Sequence, residues 1–557
     1  MGEADSSVWS DRVVGIVGAG PVGLTTALRL ASFGISSVIM EANPRLLKQG
    51  SKACLIHGDA LEILDKFGCA DTIRDEGVTW TVARTYVRNK VIRTAVHPRP
   101  LGFGPFVNIS QFRIEQVLAS AVGQQPRCDL RWGHQVSEVA QDDDGVSVLV
   151  QCPTGERRLR FDYLVACDGV RSALRAMVGV EWTGYTHKDL FLITDIRAKL
   201  PLAQERHFHY DPSFNPGRQL VMHPQPDDIW RIDWQLPPDA DIDHERASGA
   251  FDRRVRAVIG DIPYEVDWVS TYRFHQRVVK RMRVGRILFA GDAAHALPPY
   301  GSRGMNSGIQ DADNLAWKLA LVLSGQAHAD LLETYHTERF AAALENLRVT
   351  EATIRFMVPP NRLRRWTRSV VLWLSGPFQS IRKHVNSGNM TQPYVYTDSA
   401  IVQSAATHSL LGSFAPDGVI REPGLPARLR QLFGADFVGL YFATGPTDAK
   451  LFVELARCRP APVSVRLVLV MPADTSAVGV PANVTVIHDE DRALSMAYAD
   501  STARWWIVRP DGHLAATGTG ELAGEFAAAL TGAIGGTLGR PGQSNREESD
   551  VSVESAL

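Results

Sequence analysis

The feature that most constrains the fold is a glycine-rich turn near the start of the chain. The turn, Gly18 to Gly23, follows a short apolar run at Val13–Val17, which is typical of a buried parallel strand. A helical pattern then covers about residues 22–33, and a second apolar run follows at Ser37–Met40. This strand–helix–strand order predicts an α/β fold that begins with a parallel βαβ unit.

The spacing of the glycines predicts a cradle for a dinucleotide. Gly18-Ala19-Gly20-Pro21-Val22-Gly23 fits the pattern G-x-G-x-x-G between a strand and a helix. In this pattern Gly18 allows the tight turn, Gly20 lets a pyrophosphate approach the backbone, and Gly23 lets helix and strand pack closely. The helix N-terminus offers free N–H groups to phosphate. Glu41, which ends the second strand, suits the ribose hydroxyls, and this favours FAD or NAD over NADP in the cradle.

Length, charge and cysteine content exclude several other classes of protein. The 557 residues predict about three or four domains, and a net charge of −2 gives no reason to expect nucleic acid. The six cysteines form no C-x-x-C pair, so neither a zinc ribbon nor a dithiol redox site is expected, and we expect no metal. The short acidic N-terminus is no signal peptide, and no apolar run is long enough to span a membrane. We therefore expect a cytoplasmic protein without an integral membrane segment.

The pattern along the chain predicts that an α/β domain is split by an inserted sheet. Buried strands are predicted at Tyr163–Ala166 and Arg286–Ala290. Between them, residues 180–275 are rich in Trp, Tyr and His in short alternating runs, which favour an antiparallel sheet. Helical patterns follow at 308–323 and 331–356. After a break at Pro359-Pro360, a separate α/β pattern begins at about residue 400, and the chain ends in a polar segment predicted to be disordered.

Two further glycine-containing motifs accompany the predicted strands at Tyr163–Ala166 and Arg286–Ala290. Tyr163–Ser172 places an Asp-Gly turn at the end of its strand, and Gly285–His295 contains Gly-Asp-Ala-Ala-His and is followed by Pro298–Gly308. Together with the first turn, these motifs resemble the fingerprints of the group A FAD-dependent aromatic hydroxylases, the single-component flavin monooxygenases. The resemblance covers about residues 10–350 and rests on three separated motifs that occur in order.

Two segments resemble particular branches of this family. Gly301–Gly308 and Leu315–Leu319 are most similar to the 3-(3-hydroxyphenyl)propionate hydroxylase-like branch. The terminal α/β segment resembles the thioredoxin-like domain that phenol hydroxylase relatives carry. Cys458 is its lone cysteine, so the segment is expected to support the fold or a homodimer rather than to exchange disulfides.

The resemblance therefore implies an α/β fold with a Rossmann-like FAD-binding domain, an inserted antiparallel-sheet substrate domain, a helical bridge and a C-terminal thioredoxin-like domain. The expected boundaries are 10–180 and 281–355 for the two parts of the FAD-binding domain, 181–280 for the substrate sheet, 356–400 for the bridge, 401–538 for the thioredoxin-like domain and 539–557 for the tail.

Several residues take cofactor-binding roles by this resemblance. Asp292 would accept a hydrogen bond from the ribitol chain, Pro299 would lie where oxygen reacts, and Asp168 would serve both FAD and the nicotinamide substrate. The backbone of Gly304-Met305-Asn306 would lie against the flavin ring at a helix N-terminus. The full expected cofactor-binding set is Gly18, Ala19, Gly20, Pro21, Val22, Gly23, Glu41, Ala42, Arg45, Lys52, Gln111, Asp168, Gly169, Gly291, Asp292, Pro299, Gly304, Met305 and Asn306.

The resemblance also bears on two basic residues and one histidine. Lys52 stands where the family usually has an arginine near the pyrophosphate, and it keeps the charge but loses the guanidinium fork. Arg45 is a second candidate near the adenosine. His295 follows Gly-Asp-Ala-Ala, and the resemblance implies a structural role for it.

The expected reaction is hydroxylation of a small phenolic or related aromatic substrate. By the resemblance, NADPH or NADH reduces FAD, and O2 then gives a flavin C4a-hydroperoxide that the electron-rich ring attacks. The catalytic candidates are Asp292, Pro299, His223, Tyr210 and Tyr272. In the predicted sheet, alternation places Trp230, Ile232 and Trp234 on one face and Arg231 and Asp233 on the other, and it leaves open which face meets the flavin.

Other functions remain open at this point. A flavin oxidase or dehydrogenase would lack oxygen insertion, and an epoxidase would act on an aromatic or polycyclic substrate. A regulatory protein could keep the nucleotide site without its chemistry. A flavin halogenase is disfavoured because no segment matches W-x-W-x-I-P.

Overall fold

A computed structural model describes most of the chain. The described residues are 12–48, 53–357, 362–375, 378, 390, 392–403, 408–445, 463–473, 475, 480–498, 503–519, 522–536 and 538. Lys52, Cys458 and the predicted tail lie outside this part of the chain.

The strands of the described residues are, in chain order, β1 (Val13–Val17), β2 (Ser36–Glu41), β3 (Leu55–His57), β4 (Val78–Trp80), β5 (Val82–Val87), β6 (Lys90–Val96), β7 (Phe106–Asn108), β8 (Cys128–Trp132), β9 (Gln135–Gln141), β10 (Val146–Cys152), β11 (Gly155–Phe161), β12 (Tyr163–Ala166), β13 (Trp182–Thr186), β14 (Leu190–Arg197), β15 (Arg206–Tyr210), β16 (Gln219–Pro224), β17 (Ile229–Leu236), β18 (Glu265–Tyr272), β19 (His275–Val279), β20 (Arg283–Val284), β21 (Ile287–Phe289), β22 (His295–Ala296), β23 (Phe437–Phe442), β24 (Val465–Pro472), β25 (Val484–Asp489), β26 (Trp505–Val508) and β27 (Leu514–Gly518).

The α-helices are α1 (Pro21–Ser32), α2 (Gly58–Asp65), α3 (Ala70–Glu76), α4 (Gln111–Gln124), α5 (Ala173–Val178), α6 (Ile242–Ala247), α7 (Ala250–Ile259), α8 (Arg303–Leu323), α9 (Glu333–Met357), α10 (Arg362–Ser375), α11 (Ala493–Ala497) and α12 (Leu522–Ala533). None of these helices has the length and apolar character that crossing a bilayer requires.

The six-stranded sheet that carries the glycine-rich turn has the order β20-β21-β12-β1-β2-β8. β1 pairs in parallel with both β2 and β12, and β12 pairs in parallel with β21. The strands predicted at Val13–Val17 and Tyr163–Ala166 are confirmed with those bounds. Because these strands run in the same direction, the segments that follow them meet at one edge of the sheet.

The long helix α8 starts earlier than its apolar pattern predicts. The pattern indicates a start at Gly308, but the helix begins at Arg303. Glycines in this first turn lower the intrinsic helix propensity. A Cβ added to Gly308 would lie 2.5 Å from Cγ2 of Val22, so the glycine allows α8 to pack closely on α1. Tertiary packing therefore stabilises a turn that propensity alone disfavours.

A second, seven-stranded sheet has the order β18-β14-β17-β16-β15-β5-β6. Its neighbouring strands pair in the antiparallel direction except β15 and β5, which are parallel. The predicted antiparallel sheet is therefore present, but β5 and β6 come from residues 82–96, which the sequence patterns did not assign to it. We call this element the substrate sheet.

The two faces of the substrate sheet differ in chemistry. Trp230, Ile232 and Trp234 pack in an apolar cluster with Phe251, Val255 and Ile259 of α7. The alternate residues of β17 therefore point to the other side.

The C-terminal part of the described chain forms a five-stranded mixed sheet of order β25-β24-β23-β26-β27. It meets α8 and α9 through a buried cluster of charged residues. Arg509 donates to both carboxylate oxygens of Glu338 at 2.6 and 2.9 Å, and Lys318 donates to Glu338 Oε2 at 2.7 Å. Asp511 accepts from Arg509 and from Asn314 Nδ2. We call Arg509, Glu338, Lys318, Asn314 and Asp511 the junction cluster.

Candidate active site

The glycine-rich turn has the geometry that close approach of a pyrophosphate requires. Gly18 has φ +103°, and a Cβ added there would lie 2.4 Å from the carbonyl oxygen of Cys167. A Cβ added to Gly23 would lie 2.0 Å from the carbonyl oxygen of Gly18. A Cβ on Gly20, in contrast, would meet no atom within 4 Å. Two glycines therefore serve packing, and Gly20 keeps the backbone accessible.

The helix after the turn leaves backbone donors available. α1 begins at Pro21. The residue before it, Gly20, is the N-cap, and it makes no side-chain capping hydrogen bond. The first N–H groups of a helix have no intrahelical acceptor, so they suit an anion. Val22 packs against the third motif, because a Cβ on Gly291 would lie 2.8 Å from its Cγ2.

Glu41 is anchored beside the same turn. Its Oε2 accepts from the backbone N–H of Ala19 at 2.9 Å, and its Oε1 accepts from Nδ2 of Asn43 at 2.6 Å. Each carboxylate oxygen can accept a further hydrogen bond, so Glu41 still suits a ribose hydroxyl. Ala42 and Arg45 follow in an exposed loop. The predicted contact of Lys52 lies outside the described residues.

The second motif abuts the first. Asp168 Oδ2 accepts from the backbone N–H of Leu174 at 3.1 Å, at the start of α5. The buried Oδ1 has no hydrogen-bond partner among the described residues. Burial raises the pKa of Asp168. A Cβ on Gly18 would lie 3.1 Å from Cα of Asp168, so this carboxylate stands next to the cradle, and Gly169 beside it has φ +77°.

The third motif brings Asp292 to the N-terminus of α8. Asp292 is exposed in a short 3-10 turn, and a Cβ added to Gly304 would lie 3.7 Å from its Oδ1. Pro299 is also exposed, and Met305 is partly buried. The side chain of Asn306 accepts from the backbone N–H of His57 at 2.9 Å. Asn306 thus fixes β3 to the start of α8, and its predicted contact with a flavin would come from its backbone.

His295 has the structural role that the resemblance implies. Its Nε2 lies 2.7 Å from Oδ2 of Asp311, and Oδ1 of Asp311 accepts from Arg339 Nε at 2.6 Å. All three side chains are buried. Burial alone would raise the pKa of Asp311, but the His295 and Arg339 partners lower it. This buried charge group holds the Gly291 segment against α8 and α9.

Gln111 stands at the first turn of α4, beside the segment that leads into β3. Its Oε1 accepts from the backbone N–H of Ala53 at 3.3 Å, and its Nε2 donates to Glu115 at 2.9 Å. Gln111 therefore contacts the residue after Lys52, and the contact with the flavin side chain that the resemblance implies for Gln111 stays a prediction.

The substrate sheet contacts the third motif at one end of β16 and the segment that leads into β3 at the other. Gln219 Nε2 donates to the hydroxyl of Tyr300, the residue after Pro299, at 2.7 Å. At the other end, Gln225 Nε2 donates to the carbonyl of Cys54 at 3.2 Å. The face of the sheet that carries Arg231 and Asp233 therefore meets these two segments, and we call it the inner face. The face that carries the tryptophans points away from them. That this face also meets the flavin stays a prediction for the inner face.

The three predicted substrate residues lie on this inner face. Tyr210 is buried in an aromatic cluster with Phe208 and Phe356, and Tyr272 packs on Phe191 with ring centroids 5.7 Å apart. Burial raises the pKa of both tyrosines. His223 is buried, and burial together with nearby arginines lowers its pKa well below the usual value. Their catalytic roles remain predictions.

The inner face also carries a charged group that the sequence analysis did not select. Arg231 donates from Nε and Nη2 to the two oxygens of Asp195, each at 2.7 Å, and the pair is buried. Asp233, two residues along β17, has a buried Oδ1 without a hydrogen-bond partner among the described residues. The sequence of β17 contained a sign of this group, since Arg231 and Asp233 alternate with Trp230, Ile232 and Trp234. Only the tertiary contacts show which side of the strand faces the third motif.

Comparison with known proteins agrees with this arrangement. Residues 11–350 match the family model described as FAD binding domain. The chain is 28% identical over 552 residues to a 3-(3-hydroxy-phenyl)propionate/3-hydroxycinnamic acid hydroxylase of Escherichia coli O81 (strain ED1a), covering 97% of this chain and 96% of that protein. The corresponding hydroxylase of Escherichia coli K12 shows the same identity and coverage.

Solved structures share the fold. The flavin-dependent monooxygenase PieE, in complex with FAD and substrate, matches with a TM-score of 0.74 at 22% identity and covers 94% of this chain and 99% of its own. p-Nitrophenol 4-monooxygenase PnpA from Pseudomonas putida DLL-E4 matches with a TM-score of 0.59 at 26% identity, covering 67% of this chain and 96% of its own. Because the family model matches more than half of the residues, the chain belongs to the FAD binding domain family.

Proposed function

We propose that this protein is an FAD-dependent monooxygenase that hydroxylates a phenolic or related aromatic ring with NAD(P)H and O2. The observation that carries the proposal is that three FAD motifs lie against one another and that the third of them meets the aromatic inner face of the substrate sheet through the Gln219–Tyr300 hydrogen bond. The similarity to hydroxylases of hydroxyphenyl acids, over nearly the whole chain, supports it.

The residues present fit FAD. The accessible backbone at Gly20, the uncapped helix start and Oδ1 of Asp168, which has no partner in the described part of the chain, all suit a dinucleotide. We assign the pyrophosphate to Gly18–Gly23, the adenosine ribose to Glu41, and the flavin side to Asp292 and Gly304–Asn306. When bound, FAD supplies the reduction by NAD(P)H and the activation of O2. The chain's own residues hold the substrate ring, orient it and exclude water.

A panel of phenols tests the reaction. With the purified holoenzyme, we expect at least one phenol to accelerate NAD(P)H oxidation and to yield a product heavier by one oxygen atom. Peroxide formation without a hydroxylated product, across the whole panel, would instead favour an oxidase. A product heavier by one oxygen but lacking aromatic character would favour an epoxidase.

A matched pair of variants tests the cofactor assignment. A Cβ added to Gly20 meets no protein atom within 4 Å, so Gly20→Leu should retain the fold while its side chain excludes FAD. A Cβ added to Gly123, in α4, also meets no atom within 4 Å, and Gly123→Leu serves as the control. We expect loss of bound FAD, measured by absorbance, only in Gly20→Leu. Equal FAD content in both variants contradicts the assignment.

We further propose that the C-terminal unit is thioredoxin-like and has no redox role. Its mixed five-stranded sheet is compatible with that fold, and Cys458 is the lone cysteine after residue 400, so no dithiol can form within the unit. Its contacts with α8 and α9 favour a supporting role. Replacing Cys458 with Ser should leave NAD(P)H-coupled hydroxylation unchanged.

A cytoplasmic location and a homodimer complete the proposal. Sparse cysteines suit a reducing compartment, and the helix α10 exposes Leu363, Trp366 and Trp373 on its surface. Light scattering of the holoenzyme should give the mass of two chains.

A further inference from the structure

The position of Asp233 on the inner face of the substrate sheet is fixed by its strand partners. It pairs with Ile193 of β14 on one side and with Val221 of β16 on the other. On β16, Val221 lies between Gln219, which bonds to Tyr300, and the end that leads to Gln225. Asp233 therefore lies between the two contacts that join the sheet to Tyr300 and to Cys54.

The immediate neighbours of Asp233 form a surface on which an aromatic ring can pack. Side chains in register on neighbouring strands of a sheet share one face. Ile193 and Val221 flank the carboxylate, and Phe208 pairs with Val221 from the next strand. Tyr272, next to Phe191, adds an aromatic side chain from β18. A ring held here would place a hydroxyl substituent within reach of the carboxylate.

The charges around Asp233 leave one of its acceptors available. The nearby arginine, Arg231, directs two donors to Asp195, and Oδ1 of Asp233 has no donor among the described residues. The titratable and charged groups that face Asp233 from the surrounding elements are Arg231, Asp195, Arg206, His223, Tyr272 and Cys54.

The protonation of Asp233 suits a group that exchanges protons near neutral pH. Burial raises its pKa to about 7, and the Arg231 charge offsets this only in part. A carboxylate with such a pKa is a stronger base than an ordinary surface aspartate and still titrates in the working range of an enzyme.

We propose that Asp233 accepts the hydroxyl of a phenolic substrate and removes its proton. The substrate O–H bond breaks, a new O–H bond forms on Asp233 Oδ1, and the electron pair stays on the substrate oxygen. The resulting phenolate is more electron-rich at its ring carbons, and the proton leaves to solvent after product release. This inference rests on the proposed function, and it narrows the substrate class to rings that carry an ionisable hydroxyl.

The first test compares Asp233→Asn with the parent on two kinds of phenol. For an ordinary phenol, which is neutral at the assay pH, kcat/KM should fall by about 100-fold to 10,000-fold, as expected for a lost general base. For a fluorinated phenol that is already ionised, the loss should be less than about tenfold. Asp267→Asn, an exposed carboxylate of the same sheet that pairs with Lys48, is the matched control and should affect neither.

The outcomes separate the inference from the proposed function. A parent holoenzyme that hydroxylates no phenol overturns the proposed function. An active parent whose Asp233→Asn variant loses the same factor on both phenols overturns only the role of Asp233. FAD content, measured in each variant, should equal that of the parent.

A second measurement needs no variant and uses the parent holoenzyme. Binding of a phenol, followed by the change in flavin absorbance, should tighten as the pH rises through about 7. The methyl ether of the same phenol has no hydroxyl proton, and its affinity should lack this step. The same pH dependence for both ligands would overturn the proposal.

Discussion

Two buried clusters in this molecule each pair arginine with carboxylates, and they differ in how completely the carboxylate oxygens are hydrogen-bonded. In the junction cluster, both oxygens of Glu338 and the carboxylate of Asp511 accept hydrogen bonds from protein groups. In the substrate sheet, Arg231 and Asp195 are paired, and Oδ1 of Asp233 has no donor among the described residues. A fully satisfied network stabilises and orients the elements that it joins, whereas an unsatisfied buried acceptor costs stability.

The largest expected effect comes from breaking the junction cluster. Glu338→Gln removes the partner charge of Arg509 and Lys318, so both cations stay buried without it. We expect the free energy of unfolding to fall by about 3–5 kcal/mol, measured by denaturant titration. Loss of less than 1 kcal/mol would show that the cluster does not hold α9 to the C-terminal unit.

The pH dependence of stability should show the same contribution. Burial alone would raise the pKa of Glu338, but Arg509 and Lys318 lower it to about 2. A depressed pKa means that the stabilisation is present above the unfolded value and is lost as the pH falls towards 2. Glu338→Gln should remove this part of the acid dependence.

Neutralising Asp233 should change the free energy of unfolding in the opposite direction, as an increase. Its pKa is raised to about 7, so between its ordinary value and 7 the folded protein holds a proton that the unfolded chain releases. Stability therefore falls as the pH rises through that window. Asp233→Asn should raise the free energy of unfolding by about 1–3 kcal/mol at about pH 8 and change it little at about pH 4. A destabilised variant at alkaline pH would mean that Asp233 is a structural residue like Glu338.

Asp195→Asn should make the cluster in the substrate sheet more like the junction cluster, because Asp233 would gain a hydrogen-bond donor. Arg231 would lose its partner and could turn to Asp233, and a nearby negative charge that raises the pKa of Asp233 would be gone. Both changes lower the pKa of Asp233, so the pH profile of phenol hydroxylation should move down by about one pH unit. An unchanged profile, with the variant folded and loaded with FAD, would separate Arg231 from Asp233 in function.

The smallest effect is expected from an exposed pair on α9. Arg348 and Glu345 lie 2.7 Å apart but are 66% and 41% exposed. Glu345→Ala should change the free energy of unfolding by at most about 1 kcal/mol, and added salt should weaken even that. A larger loss would show that burial is not what distinguishes the two clusters from surface pairs.

The sequence predicts the elements whose patterns are local. β1 and β12 appear with the predicted bounds, since a buried strand needs only its own apolar run. The glycine roles at Gly18 and Gly23 also agree with the packing, because they follow from the backbone of a single turn. The start of α8 was wrong, since packing on Val22 decides it.

The candidate site shows where local patterns stop being informative. Alternation on β17 separates Arg231 and Asp233 from the tryptophans, but the orientation of the sheet depends on contacts with Tyr300 and Cys54, far away in sequence. That Oδ1 of Asp233 has no donor among the residues that the structure describes likewise depends on Arg231 pairing with Asp195 from another strand. These choices are made by tertiary structure, so no motif records them.

The parallel pairing of β15 with β5 has a consequence for how this molecule can be rebuilt. Two strands of the substrate sheet come from residues 82–96 and the other five from residues 190–272, so the sheet consists of two separate stretches of the chain. Exchanging only the later stretch with a relative would leave β5 with an unmatched edge inside a hybrid protein. A change of substrate specificity by module exchange therefore has to transplant both stretches together.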